Sequence, residues 1–233
     1  MLKISNLNKT YANGKVGVKN LNLTVSAGDI CAFIGPNGSG KTTTIRCVVG
    51  TLDFNDGEIL IDNKSIKTNP LACKQVTAYI PDNPDIYTTL TGNEYLNFIA
   101  SVYKISVDER DKAIEYYANQ WDLTKDLGLP IKSYSHGMRQ KLVLIAAFMR
   151  KPKLLVLDEP FVGLDPQAAF TLKNIMQDFV KNGGAIFYST HVLEVAEKLC
   201  NKVIMIKNGE IIKQGTMKDI KADKSLEEVF LNA

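Results

Sequence analysis

The sequence predicts an α/β fold in which a core of parallel strands is interrupted by one helical insertion. Three observations carry that prediction. The runs "DICAFIG", "KLLVLDEP" and "GAIFYSTH" have the near-continuous hydrophobicity of strands buried on both faces of a parallel sheet. A glycine-rich turn, "GPNGSGKTT", follows the first of them and leads into a helical stretch, "TTIRCVVG". From about residue 86 to residue 150 the strand texture gives way to helical spacing. The chain of 233 residues is long enough for one large domain or a core with a subdomain. We read residues 1–233 as one unit, with an α/β core at about 1–85 and 151–233 and a helical subdomain at about 86–150.

Each element has its own local reason. Residues 2–34 read as strands, and "VGVKNLNLTV" alternates apolar and polar residues with a slip at Lys19 and Asn20 that predicts a bulge. "NDGEILID" reads as a turn and a strand, with Asp56-Gly57 suited to a tight hairpin. Thr91 and Glu94 form a capping-box pattern ahead of "YLNFIASVY". "DERDKAIEYYANQWDL" continues with helical spacing, and its lone tryptophan, Trp121, reads as core packing. Pro130 closes this stretch, and another helix is expected from about Gly137 to Met149. After Pro152 the strands return; "NKVIMIKNGEIIKQG" is a hairpin turned by Asn208-Gly209, and the charged tail 216–233 ends in a short helix.

Composition narrows the function. Hydrophobic residues make up 45% and charged residues 23%, ordinary for a soluble globular protein. A net charge of +3 gives no electrostatic case for a nucleic-acid partner, so none is expected. The four cysteines, Cys31, Cys47, Cys73 and Cys200, have neither metal-ligand nor redox spacing and read as buried thiols. The N-terminus has no long apolar run, so no signal peptide is expected. The longest apolar run, "LVLIAAFM" at 142–149, falls far short of the roughly 18 residues a membrane span needs.

The chemistry gathers where strands end. Gly35, Pro36, Asn37, Gly38, Ser39, Gly40, Lys41, Thr42 and Thr43 fit the pattern G-x-x-x-x-G-K-[ST] between a strand and a helix. Glycines let the backbone curl and aim N–H groups at phosphate oxygens, and the helix start adds partial positive charge. Lys41 is expected on the β- and γ-phosphates of ATP, with the Thr42 hydroxyl on Mg²⁺. "LLVLDEP" delivers Asp158 and Glu159 at the carboxyl edge of its strand, where ligands of open α/β sheets bind. Asp158 can hold Mg²⁺ through water, and Glu159, expected on the other side of the strand, can take a proton from attacking water. "YSTH" brings His191 to the same edge, where it can bond a γ-phosphate or the attacking water.

The order of these motifs resembles the nucleotide-binding domain of an ABC transporter over almost the entire chain. That resemblance implies a P-loop NTPase (RecA-like) core, an N-terminal antiparallel β subdomain and an inserted α-helical subdomain. The family signature, usually L-S-G-G-Q, reads Tyr134-Ser135-His136-Gly137-Met138 here. A serine hydroxyl and glycine N–H groups at a helix start make an anion site. The resemblance therefore implies a second ATPase domain packed head to tail, identical or not, with Ser135, Gly137 and Met138 closing on its ATP. It implies further that Tyr11 stacks on adenine, that Asp165 in "GLDP" communicates across the dimer, and that His191 is the switch histidine. Asp82 in "AYIPDNPDIY" stands where the family usually has glutamine and can still ligate Mg²⁺ or orient water. Asp82, "YSHGM" and "SLEEVFL" together look like exporter ATPases of the ABC-2 type, near Ecs-type systems. The expected assembly is an ATP-hydrolysing subunit at the cytoplasmic face of the membrane, working with a separate transmembrane permease subunit. An import ATPase and a soluble, non-transport ABC ATPase are the alternatives.

Overall fold

The computed structural model describes residues 1–232. In chain order the strands are β1 (Leu2–Thr10), β2 (Val16–Val25), β3 (Ile30–Ile34), β4 (Asp56–Ile61), β5 (Lys64–Ser65), β6 (Thr77–Ile80), β7 (Leu154–Asp158), β8 (Ala185–Thr190), β9 (Lys202–Lys207) and β10 (Glu210–Thr216). The helices are α1 (Lys41–Val48), α2 (Pro70–Val76), α3 (Gly92–Val102), α4 (Val107–Gln120), α5 (His136–Met149), α6 (Pro166–Lys181), α7 (Leu193–Leu199), α8 (Met217–Lys221) and α9 (Leu226–Leu231). The strands form an antiparallel sheet, β2-β1-β4-β5, and a larger sheet, β10-β9-β3-β8-β7-β6, parallel except for β10.

The apolar runs are explained by two cores on opposite faces of the larger sheet. Successive residues of a strand point to opposite faces. Cys31 and Phe33 of β3, Leu154 and Val156 of β7, and Ala185 and Phe187 of β8 pack between the sheets with α1. Their neighbours Ala32, Leu155, Leu157, Ile186 and Tyr188 pack beneath the helices on the far face. With no solvent face there is no polar residue to break the run.

Three register shifts between β1 and β2 shape the antiparallel sheet. Leu7 pairs with Leu21 and Lys9 with Val18, so β2 carries one extra residue around Asn20, at φ 46, as the slip in its pattern predicts. An opposite irregularity lies on β1 around Asn6, at φ 50. Asn208-Gly209, at φ 52 and 82, turns β9 into β10. The Asp56-Gly57 expectation is corrected: both residues belong to β4, and Asp62-Asn63, at φ 50 and 62, turns it into β5. Two consecutive left-handed residues suit a tight hairpin, and Asn and Asp tolerate that conformation better than most.

Between β6 and β7 the chain is helical or loop apart from one isolated antiparallel bridge, Thr91 to Pro130. Trp121 is 2% exposed and stacks on Tyr117 at 6.0 Å. Residues 142–149 lie wholly buried on α5. The expected helix there starts one residue earlier, at His136, because Ser135 caps it. Helices α2, α6, α7 and α8 go beyond the sequence reading, although Asp165-Pro166, an N-cap followed by proline, marks the start of α6.

Thr91 and Glu94 make the capping box in full. Thr91 Oγ1 accepts from Glu94 N at 3.2 Å, and Glu94 Oε2 accepts from Thr91 N at 2.8 Å. Thr91→Ala is expected to cost about 1 kcal/mol. Urea unfolding checks this as a lower midpoint at unchanged slope.

Candidate active site

Sheet order assembles the site. Strands β3, β8, β7 and β6 are neighbours running in parallel, so their carboxyl ends lie side by side. β3 ends in the glycine-rich loop, β8 in Thr190 ahead of His191, β7 in Asp158 ahead of Glu159, and β6 lies just before Asp82. A cavity of about 460 Å³ opens there, lined among others by Lys41, Thr42, Thr43, Asp82, Asp158 and Glu159, with Tyr11 and Lys15 on one wall.

The loop is shaped by two left-handed glycines, Gly38 at φ 80 and Gly40 at φ 110. A Cβ on Gly40 would lie 2.5 Å from the Gly17 carbonyl oxygen, so only glycine fits. Lys41 Nζ donates to the carbonyls of Gly35 at 2.6 Å and Pro36 at 3.2 Å. Burial lowers the pKa of this ammonium, and the charges of Glu159 and Asp158 oppose that shift. Asn37, Gly38, Gly40, Lys41, Thr42 and Thr43 line the cavity; Gly35, Pro36 and Ser39 do not. Gly35 and Ser39 are the buried residues of the turn. Tyr11 shares a hydrogen bond with Thr43, oxygen to oxygen at 2.9 Å.

Asp158 is buried. Its Oδ2 accepts from Thr42 Oγ1 at 3.3 Å and its Oδ1 accepts from the Ser189 hydroxyl. Burial raises its pKa above the usual carboxylate range, Asp82 adds to the rise, and the two hydroxyl donors counter it. Asp82 is exposed, and its Oδ1 accepts from Asn83 N at 2.8 Å. Thr42, Asp158 and Asp82 offer oxygen donors only, the chemistry a hard cation such as Mg²⁺ prefers. Among the described residues no group of three or more His, Cys, Asp or Glu side chains could hold a metal. A cation here would take its remaining ligands from phosphate and water, as Mg²⁺ commonly does.

Glu159 corrects one expectation. It does not continue the strand to the opposite side, because β7 ends at Asp158 and Glu159 turns left-handed at φ 49. Both carboxylates therefore line one cavity. A non-glycine residue in this conformation costs on the order of 1–3 kcal/mol. Glu159 N donates to Ser189 O at 3.2 Å, and Val162 N donates to Glu159 O at 3.2 Å. Its Oε1 lies 2.8 Å from His191 Nδ1, which joins His191 to the site although the ring does not line the cavity.

Ser135, Gly137, Met138 and Asp165 sit apart from the cavity. Ser135 Oγ accepts from Met138 N at 3.2 Å, capping α5. A Cβ on Gly137 would lie 2.7 Å from Gly163 O, and the His136 ring packs against Gly163. Lys141 Nζ meets Asp165 Oδ2 at 2.9 Å, while Asp165 Oδ1 accepts from Ala168 N at 2.7 Å to cap α6. Ser189, Gln140 and Lys141 were not among the sequence candidates. A serine inside a wholly buried strand and a glutamine ahead of an apolar helical run are the signals that point to the first two.

A family description reading "ABC transporter" matches residues 18–162. The ABC-type transporter ATP-binding protein EcsA of Bacillus subtilis (strain 168) is 33% identical over 236 residues, covering 99% of this chain and 95% of EcsA. The SkfA peptide export ATP-binding protein SkfE of the same organism is 33% identical over 212 residues, covering 91% of this chain and 87% of SkfE. A solved structure of an ATP-binding subunit of an ABC transporter matches with a TM-score of 0.96 at 31% identity, covering 100% of this chain and 98% of that one.

Proposed function

The chain belongs to the ABC transporter family as an ATP-binding subunit, and from that premise we propose that it hydrolyses ATP to drive an exporter through a separate transmembrane partner. The observation that carries the catalytic reading is the convergence of Lys41, Thr42, Asp158 and the Glu159–His191 pair on one sheet edge. In this reading the backbone N–H groups of the loop and Lys41 hold the phosphates. Thr42 and Asp158, with Asp82 beside them, would hold Mg²⁺, which supplies neutralisation of the phosphate charge. Glu159 takes a proton from water as its oxygen bonds to the γ-phosphorus and the bond to the ADP oxygen breaks. His191, through its 2.8 Å contact, would orient the Glu159 carboxylate toward the γ-phosphate. Tyr11, held by its hydrogen bond to Thr43, would stack on the base.

The remaining residues are read as the surface that meets a second copy of the domain, with the Met138 side chain packed against the chain's own core. Ser135, Gly137 and Met138 lie at the start of α5, apart from the chain's own cavity. They would close on the ATP of a head-to-tail partner, with Asp165 at the join. We read residues 1–233 as one ATPase domain whose helical subdomain, about 86–150, carries this surface. Export is supported by the peptide-export name of the SkfE relative and by Asp82 at the position where glutamine is usual. The membrane passage belongs to the partner in this reading, and the chain sits on the cytoplasmic face; no helix among the described residues is long and apolar enough to cross a membrane.

The decisive experiment is a pull-down from native membranes with mass spectrometry. A polytopic membrane protein recovered in stoichiometric amount supports the transporter. Soluble partners alone, from a preparation still hydrolysing ATP, would favour the non-transport alternative. Within the site, Asp82→Gln is expected to keep kcat within about tenfold, roughly 1.4 kcal/mol of barrier. A thousandfold loss in a steady-state ATPase assay would make Asp82 a participant in the reaction.

A further inference from the structure

Gln140 is 0% exposed, on the helix whose next residues after Lys141 are all apolar. Burying an amide is costly unless it is hydrogen-bonded. Among the described residues its Oε1 has no partner, while its Nε2 donates to the carbonyl of Pro160 at 3.4 Å. That carbonyl belongs to the residue after Glu159. Proline has no N–H, so the carbonyl is the only backbone polar group by which this residue can be held. The contact therefore bears on the one turn of the site that sits in a disfavoured conformation, Glu159 at φ 49.

We propose that Gln140 is a positioning residue, holding the Glu159–Pro160 turn so that the Glu159 carboxylate faces the nucleotide. Two further contacts make α5 the buttress of the same loop: Gly137 against the Gly163 carbonyl, and Lys141 on Asp165. Because Ser135 and Gly137 open the same helix, a displacement of its start by a docked partner reaches Glu159 through Gln140. This inference deepens the reading given above and rests on Glu159 as the base.

Gln140→Met in the full chain tests it, since methionine keeps the length, shape and helix propensity and removes the donor. A shift of the base by a fraction of an ångström to an ångström is expected to lower kcat about tenfold to a hundredfold. KM and the affinity for a non-hydrolysable ATP analogue should stay within roughly twofold. In the Glu159→Gln background, single-turnover rates should show no further loss, because the group being positioned is gone. Gln140→Leu, with a different shape, should give the same split. An unchanged kcat would overturn the proposal. So would an equal loss in both backgrounds, or loss of nucleotide affinity together with thermal stability in both variants, which would mark a merely structural residue. If Glu159→Gln alone keeps full activity, the base assignment fails instead.

Discussion

Glu159→Gln is expected to lower kcat by on the order of 10²–10⁴, the range for loss of a positioned general base. The amide keeps the size of the side chain and can still bond His191, but it cannot accept the proton of attacking water. Lys41, Thr42 and Asp158 are untouched, so ATP should still bind. The two effects together should leave a long-lived ATP-bound dimer, because in the proposed cycle ATP favours closure and hydrolysis reverses it. Light scattering with saturating Mg-ATP would show a dimer mass for the variant and a mixture for the parent chain. A strictly monomeric variant under those conditions, or one that turns over at the parent rate, would remove Glu159 from the role of base.

Lys41→Ala is expected to abolish ATP binding. The cavity already holds three carboxylates, Asp82, Asp158 and Glu159, and a nucleotide brings more negative charge to them. Lys41 is the cation inside the loop, buried and held by two carbonyls that keep its ammonium at the mouth of α1. Without it the phosphates face the carboxylates across the same space, at close range and partly out of water. The fold should survive, because alanine is a good residue for the first turn of a helix and α1 keeps its other contacts. Calorimetric titration checks the first expectation and thermal unfolding the second. Retained micromolar affinity would sink the phosphate-loop assignment.

Much of this molecule is legible from local pattern. The three apolar runs are three adjacent interior strands, and their lack of alternation is explained by cores on both faces. The capping box at Thr91, the bulge at Asn20 and the Asn208-Gly209 turn follow from the residues that make them. Asp56-Gly57 shows where local pattern misleads. Its composition suits a turn, yet Gly57 serves to let β4 pass close to β1: a Cβ there would lie 2.4 Å from the Asn6 carbonyl oxygen. A glycine needed for close approach and one needed for a turn look alike in a sequence.

By itself the sequence determined the three apolar strands, the phosphate-loop motif and which side chains arrive at their ends, because each depends on residues a few positions apart. Tertiary structure alone decided what those side chains meet. Ser189 reaches Asp158 only because β8 and β7 are neighbours, and Gln140 reaches Pro160 only because α5 packs beneath the turn that follows β7. The left-handed turn at Glu159, which puts both carboxylates in one cavity, is a disfavoured local conformation. Such conformations persist where surrounding contacts over-determine them. A partner distant in the chain leaves no periodicity behind, so these contacts become visible only when the sheet order and the packing of the helices are known.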